Sequence, residues 1–321
     1  MRNLEIDVVE LPLSRPFTIS RGTRTAVTVV RVNVEENGFI GLGECTPTPR
    51  YGESPESVVA QLEDIRGSFE SGLTREELQA LMPAGAARNV LDCALWRLEA
   101  ASTQKNLWSM SGVSQPESVI TAETISLGSV DAMKSSAKKA VKKGAILLKI
   151  KLNAEQIVEK VAAIRSVAPE TILIIDANEA WAGCDLPVLF KALTSYDITM
   201  IEQPLPAGDD SILADFEHVI PVCADESCHV NQDIDSLSSR YEFINIKLDK
   251  CGGLTEALKM VEQAKAKGMR LMVGCMLGSS LAMDAALPIA AQCELIDLDG
   301  PIWLAGDSVP YLEYREGRIW T

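Results

Sequence analysis

From about Val119 onward the chain alternates between short apolar runs and longer amphipathic stretches. Eight apolar runs are centred near Ala122, Lys149, Ile174, Ile201, Cys223, Ile246, Met272 and Ile296. Seven stretches between them read as helices, among them 130–143, 154–167, 254–267 and 280–292. Gly144 and Gly268 sit where a helix C-cap needs a residue free to adopt positive φ. Eight strands at this spacing predict an α/β fold of the TIM-barrel type. The tail, 310–321, has no helix to close the barrel, so a modified (β/α)7β form is expected. A doubly wound open sheet is disfavoured, because no Gly-rich phosphate loop follows the first strand.

The first third of the chain has a different pattern. Residues 3–13 alternate as a strand does, and two further alternating runs, 26–35 and 39–44, flank Glu36-Asn37-Gly38, a strong hairpin signal. A polar stretch, SRPFTISRGTRT, carries Arg15, Arg21 and Arg24 and reads as a loop, as does TPTPRYGES. Three helical stretches follow: 54–71, opening on Ser54-Pro55; 74–81, with a Thr74/Glu77 capping box; and 86–101. The expected organisation is an α+β N-terminal capping domain over 1–115, a catalytic barrel over 116–300, and a tail, 301–321. The tail holds a short β element with an Arg-Glu-Gly turn and is expected to return to the capping domain.

Length and charge narrow the function. A chain of 321 residues accommodates one barrel and a smaller domain. A net charge of −15 argues against nucleic acid as a partner, since that needs a basic stripe. An anionic small molecule is still allowed, because local charge can oppose net charge. No apolar run approaches the roughly 20 residues that span a membrane. The first residues, MRNLEIDVVELP, lack the apolar core of a signal peptide, so a cytoplasmic protein is expected. The eight cysteines form no C-x-x-C pair and there are only two histidines, so a cysteine-rich zinc site is not expected.

Five charged residues stand where apolar runs end: Lys151, Asp176, Glu202, Asp225 and Lys247, spaced by 25, 26, 23 and 22 residues. In a barrel the strand C-termini open onto one face, so these charges converge there. One acid at a strand end commonly caps a helix or pairs with an arginine. Three on consecutive strands repel one another unless a cation holds them. All-oxygen ligation suits a hard ion, Mg²⁺ first and Mn²⁺ second, one per subunit. Lys151 and Lys247 end strands four apart, on opposite sides of the mouth. Such a pair suits removing a proton from one face of a carbon and returning one to the other. Lys149 shares the inward parity of Lys151. Asp297 and Asp299, in LIDLDG, also share parity and are placed for a substrate ammonium. Arg24 is a candidate for a substrate carboxylate.

The set K-I-K at 149–151, D-A-N at 176–178, E-Q-P at 202–204, A-D-E-S at 224–227 and N-I-K-L-D-K-C-G-G at 245–253 resembles the enolase superfamily, specifically its muconate-lactonising subgroup. The likeness covers almost the whole chain. Within the subgroup LIDLDGP, RGTRT, PTPRYGES, PAGAARN, ITAETI and GCMLGSS are similar to segments of the L-Ala-D/L-Glu epimerases. The resemblance implies epimerisation of a small dipeptide at its C-terminal residue. Asp176, Glu202 and Asp225 would hold Mg²⁺, Lys151 and Lys247 would exchange the α-proton, and Asp297 and Asp299 would hold the α-ammonium. It further implies that Thr124, Lys149 and Cys275 line the pocket, that Arg24 contacts the side-chain carboxylate, and that the role is recycling of cell-wall peptides. Other dipeptide specificities stay open, as do muconate cycloisomerase, o-succinylbenzoate synthase and N-acyl amino acid racemase activities and a homo-oligomeric state. A ligand-binding barrel without catalysis would leave the lysines and acids unexplained.

Overall fold

A computed structural model of the protein describes residues 2–309 and 311–321. The N-terminal domain is an antiparallel sheet of β1 (Arg2–Ile19), β2 (Gly22–Glu36) and β3 (Phe39–Cys45). The β2–β3 turn is made by Asn37 and Gly38, with φ of 53° and 82°, the left-handed pair that matches strand twist in a tight hairpin. The stretch expected as a loop around Arg21 is largely hairpin. The ladder breaks between Pro12 and Phe17 and resumes with Phe17 opposite Arg24 and Ile19 opposite Gly22. Pro16 removes a donor at the break, while Phe17, Thr18 and Ile19 favour extended backbone beyond it.

The helices that follow are α1 (Pro55–Asp64), α2 (Arg66–Glu70), α3 (Arg75–Leu81), α4 (Ala86–Thr103) and α5 (Leu107–Ser111). The single helix expected over 54–71 is thus two, divided at Ile65. α4 lies directly on β3. A Cβ at Gly41 or Gly43 would collide with the carbonyls of Ala94 and Val90, so glycine is what permits this approach.

After β4 (Ser118–Ile120) the barrel strands are β5 (Ala122–Ile125), β6 (Leu147–Lys151), β7 (Ile172–Asp176), β8 (Ile198–Glu202), β9 (Val222–Ala224), β10 (Phe243–Ile246), β11 (Arg270–Gly274) and β12 (Leu295–Asp297). They pair in that order, all parallel. The ring is nearly closed: Leu298 N–H donates to Thr121 Oγ1 at 3.0 Å, and Thr124 N–H donates to Asp299 Oδ2 at 2.8 Å. The connections carry α6 (Val130–Lys142), α7 (Ile157–Arg165), α8 (Leu186–Leu193), α9 (Ile234–Leu237), α10 (Leu248–Cys251), α11 (Leu254–Ala266) and α12 (Ser280–Ala290), and α13 (Gly300–Trp303) follows β12. Between β8 and β9, where a helix was expected, there is only a 3₁₀ turn over Ser211–Asp215. That connection holds Pro204, Pro206 and Gly208, which cannot sustain a helix. None of the helices described is long and apolar enough to cross a membrane, and all eight cysteines are free.

The tail divides. Ala305 N–H donates to Pro12 C=O at 2.8 Å against the N-terminal sheet. β13 (Glu313–Arg315) and β14 (Arg318–Trp320) then form a hairpin turned by Glu316 and Gly317, and β14 pairs with β4.

The period of two along each strand builds the barrel interior in layers. The lowest is an apolar plug of Ala122, Leu147, Ile174, Met200, Cys223, Phe243, Met272 and Leu295, one per strand. Two residues on, every strand points inward again with Thr124, Lys149, Asp176, Glu202, Asp225, Asn245, Gly274 and Asp297. The core switches from apolar to charged within one step of the pleat.

Candidate active site

The charged layer and the residues just above it form the floor of a cavity of about 480 Å³. Thr124, Lys149, Lys151, Lys247, Cys275, Asp297 and Asp299 line it from the barrel, and Phe17, Arg21, Arg24 and Arg50 from the N-terminal domain. The acids sit below them. Asp176, Glu202 and Asp225 are fully buried, and each offers a carboxylate oxygen within 4.8 Å of the other two. All eleven residues singled out from the sequence therefore meet at one mouth.

So many buried charges persist only because they compensate one another. Lys151 Nζ donates to Asp176 Oδ2 at 2.6 Å, and Lys247 Nζ to Asp225 Oδ2 at 2.5 Å. The two lysines flank the acids from β6 and from the end of β10. Lys149 lies between three carboxylates: Asp297 Oδ2 at 2.7 Å, Glu202 Oε2 at 2.7 Å and Asp176 Oδ2 at 3.1 Å. The Glu202 contact is an ion contact without hydrogen-bond alignment. Lys250, in α10, donates to Asp225 Oδ1 at 2.6 Å and to Asn245 C=O at 3.1 Å. Asn245 in turn donates to Glu202 Oε1 at 2.7 Å.

Electrostatics follow these contacts. Burial pushes Asp225 up, but Lys247 and Lys250 outweigh it and hold the carboxyl well below its ordinary range. Burial likewise opposes the charge on Lys149, yet Asp297, Glu202 and Asp176 raise its pKa well above that of a free lysine. Lys247 is also raised, with Asp225 overcoming the burial penalty. Glu202, unlike Asp225, is pushed up, to about 8, by burial and then by the neighbouring Asp176 and Asp225. A cation bound at these carboxylates would offset the repulsion that Asp176 and Asp225 add to the burial of Glu202. The three buried oxygen donors suit a hard divalent ion.

Asp297 and Asp299 present a second acidic face. Asp297 Oδ2 is taken by Lys149, while its buried Oδ1 has no hydrogen-bond partner among the described residues. Asp299 accepts from Thr124 N–H and from Trp303 Nε1, both at Oδ2. Burial, with Asp297 beside it, pushes its carboxyl up to about 6.

Two loops of the N-terminal domain close over the mouth. Arg21 reaches Glu226 at 2.9 Å and Glu179 at 3.2 Å, and Arg50 reaches the same Glu179 at 2.7 Å. Arg24 is exposed on the cavity wall and, among the described residues, has no carboxylate partner. Asn178 turns at φ 44° and donates its N–H to Asp176 Oδ1 at 2.8 Å. Asn245, Lys250, Glu226 and Trp303 were not singled out from the sequence. Parity with Lys247 marks Asn245 as inward, whereas the other three act from beyond the strand ends, where parity says nothing.

Comparison with known proteins agrees with this architecture. Residues 3–112 match the mandelate racemase/muconate lactonizing enzyme N-terminal domain, and residues 132–319 match the enolase C-terminal domain-like family. An L-Ala-D/L-Glu epimerase from Escherichia coli K12 is 50% identical over 319 residues, covering 99% of both chains. An N-acetyl-D-glutamate racemase from a Pseudoalteromonas species is 38% identical, covering 91% of this chain and 92% of its own. The structure also resembles, with a TM-score of 0.96 and 44% identity over 100% of this chain and 98% of the other, an enolase family member from Agrobacterium tumefaciens. That protein has homology to dipeptide epimerases and was solved with bound sodium and L-Ala-L-Glu. Domain matches at both ends, full-length identity to an epimerase and a charged barrel mouth make this chain an isomerase belonging to the mandelate racemase/muconate lactonizing enzyme branch of the enolase superfamily.

Proposed function

We propose that the protein is a Mg²⁺-dependent dipeptide epimerase that interconverts L-Ala-D-Glu and L-Ala-L-Glu by moving the α-proton of the glutamyl residue between Lys151 and Lys247. The observation that carries this reading is the placement of those two lysines on opposite flanks of the buried acids Asp176, Glu202 and Asp225. Asp176, Glu202 and Asp225 would hold a divalent cation, which would supply positive charge to stabilise the negative charge that proton removal develops on the substrate.

The remaining work falls to the chain's own side chains. Lys151 Nζ serves one face of the α-carbon and Lys247 Nζ the other, so one takes the proton as the other gives one back. Lys149 is bound by three carboxylates and keeps its charge, so it orders the floor rather than carrying the proton. Asp297, with an unpartnered buried oxygen, and Asp299 accept the substrate's α-ammonium. Arg24, the cavity arginine without an acidic partner, takes the glutamyl side-chain carboxylate. The 50% identity to an L-Ala-D/L-Glu epimerase supports this substrate. Recycling of cell-wall peptides, which carry D-Glu, is the role that fits it.

The test is proton NMR of L-Ala-D-Glu and L-Ala-L-Glu in D₂O with enzyme and Mg²⁺. Loss of the glutamyl α-proton signal together with interconversion is expected. Lys151→Ala and Lys247→Ala should each abolish interconversion, while each retains α-proton exchange with one isomer only. Full epimerisation by both variants would sink the two-lysine mechanism. Muconate, o-succinylbenzoate precursors and N-acyl amino acids carry no free ammonium for Asp297 and Asp299. Faster racemisation of N-acetyl-D-glutamate than of the dipeptide would move the assignment to that reaction.

A further inference from the structure

One aromatic residue beneath the capping hairpin bridges two groups with different tasks. Trp303, in α13, is buried, and its indole Nε1 donates to Asp299 Oδ2 at 3.1 Å. The edge-to-face contact with Phe17 brings the ring centroids to 4.7 Å at an interplanar angle of 82°. The guanidinium of Arg15 lies over the same indole at 4.2 Å. Phe17 is in turn the direct cross-strand partner of Arg24. Backbone pairing from Arg24 to Phe17, then ring packing on Trp303 and its bond to Asp299, link the two ends of the site.

We infer that Trp303 is a positioning residue that ties the hairpin carrying Arg24 to Asp299, so that the two ends of the substrate are gripped together. This rests on the reading of Asp299 as the acceptor of the α-ammonium and of Arg24 as the partner of the side-chain carboxylate. Asp299 Oδ2 is occupied by two N–H donors, from Trp303 and from Thr124. Those bonds fix the rotation of the carboxyl and leave Oδ1 to face the substrate. The indole fixes the position of Phe17 in the same way, through an interaction with strong directional preference. Once Arg24 is drawn down on a substrate carboxylate, its cross-strand partner presses on the ring that holds Asp299.

Trp303→Phe tests this, since it keeps an aromatic ring under Phe17 and removes the N–H. The substrates are L-Ala-D-Glu and N-propionyl-D-glutamate, which is the same molecule without the ammonium. The KM for the dipeptide should rise about tenfold, as expected for one lost bond to a charged acceptor, with kcat changed much less. On N-propionyl-D-glutamate the variant should lose no more than about twofold. Equal losses on both substrates would mean that Trp303 only supports the fold, and would overturn the inference. A second variant, Phe17→Leu, keeps the indole bond and breaks the ring contact. In an Arg24→Met background its KM effect should shrink, whereas full additivity would overturn the link between the two ends. If the wild-type enzyme fails on L-Ala-D-Glu, the substrate assignment is what fails. The same measurements on the dipeptide it does epimerise, and on the des-amino analogue of that dipeptide, carry the same expected and opposing outcomes.

Discussion

Gly274 shows how tightly single residues are specified at the mouth. It is the one inward position of the charged layer without a side chain. A Cβ there would stand 2.8 Å from both terminal atoms of Asn245 and 3.0 Å from Lys247 Cε. Asn245 cannot simply turn away, because it holds Glu202 Oε1 at 2.7 Å. Gly274→Ala must therefore displace either the lysine or the carboxylate by a few tenths of an ångström or more. Misplacement on the ångström scale costs about 10²-fold in rate, so a loss of kcat of between about ten- and a hundredfold is expected. The far-ultraviolet circular dichroism spectrum should be unchanged, since Gly274 needs no positive φ. Unaltered kcat would show that the pair has more slack than these distances allow.

At the scale of elements, α4 and α10 lock the N-terminal domain to the strand that ends in Lys247. Arg88 donates to the carbonyls of Cys251 and Gly252, Asp92 accepts from Thr255 N–H, and Trp96 donates to Thr255 Oγ1. Asp249 of α10 accepts from Thr46 N–H at 3.0 Å and from Asn89 Nδ2 at 2.9 Å. Burial, with the carboxylates of Glu53 and Glu44 adding to it, pushes Asp249 up to about 7 against an opposing pull from those two bonds. Its folded pKa thus exceeds its unfolded value of about 3.9. The folded state holds the extra proton, so this contribution to stability is full below about pH 4 and is lost as pH rises through about 7. Asp249→Asn keeps an acceptor and cannot ionise. Relative to wild type, the variant should gain in Tm progressively from pH 5 to pH 8. A Tm difference that does not vary over that range would refute the assignment. Legibility from sequence divides along the same line. The five charges at strand ends were readable because each closes an apolar run and parity fixes which way it points. The hairpin at Asn37-Gly38 and the capping box at Thr74 were readable because their determinants are local. The hairpin around Arg21 was not, since polar residues concealed a ladder set by partners on the facing strand. Nor were the contacts of Arg21 with Glu179 and Glu226, which join residues 158 and 205 positions apart. No local pattern encodes pairings at that range.

Over the whole molecule, the barrel is assembled around buried charge that must balance. Asp176, Glu202, Asp225 and Asp297 face Lys149, Lys151, Lys247 and Lys250 with almost no access to water. Ion pairs of this kind add little over apolar packing when intact, but breaking one leaves an uncompensated charge and costs about 3–5 kcal/mol. Lys250 offers the cleanest break, because it binds Asp225 from α10 and takes no part in the proton transfer proposed for Lys151 and Lys247. Lys250→Met keeps most of the unbranched stem and removes the charge, so metal-free protein should unfold at a clearly lower temperature. A divalent cation stabilises the state that binds it by an amount that rises with the logarithm of one plus its concentration over Kd, so at one concentration tighter binding gives the larger rise in Tm. A Mg²⁺ held by the three acids, as proposed, would compete in wild type with Lys151, Lys247 and Lys250 for the same carboxylates. In the variant it would meet an acid cluster short of one cation. The rise in Tm on adding Mg²⁺ should therefore be larger for Lys250→Met than for wild type. Equal increments, measured by differential scanning calorimetry at matched Mg²⁺, would mean that the lysines and the metal do not share Asp225, and the cation would then have to be sought away from the three acids.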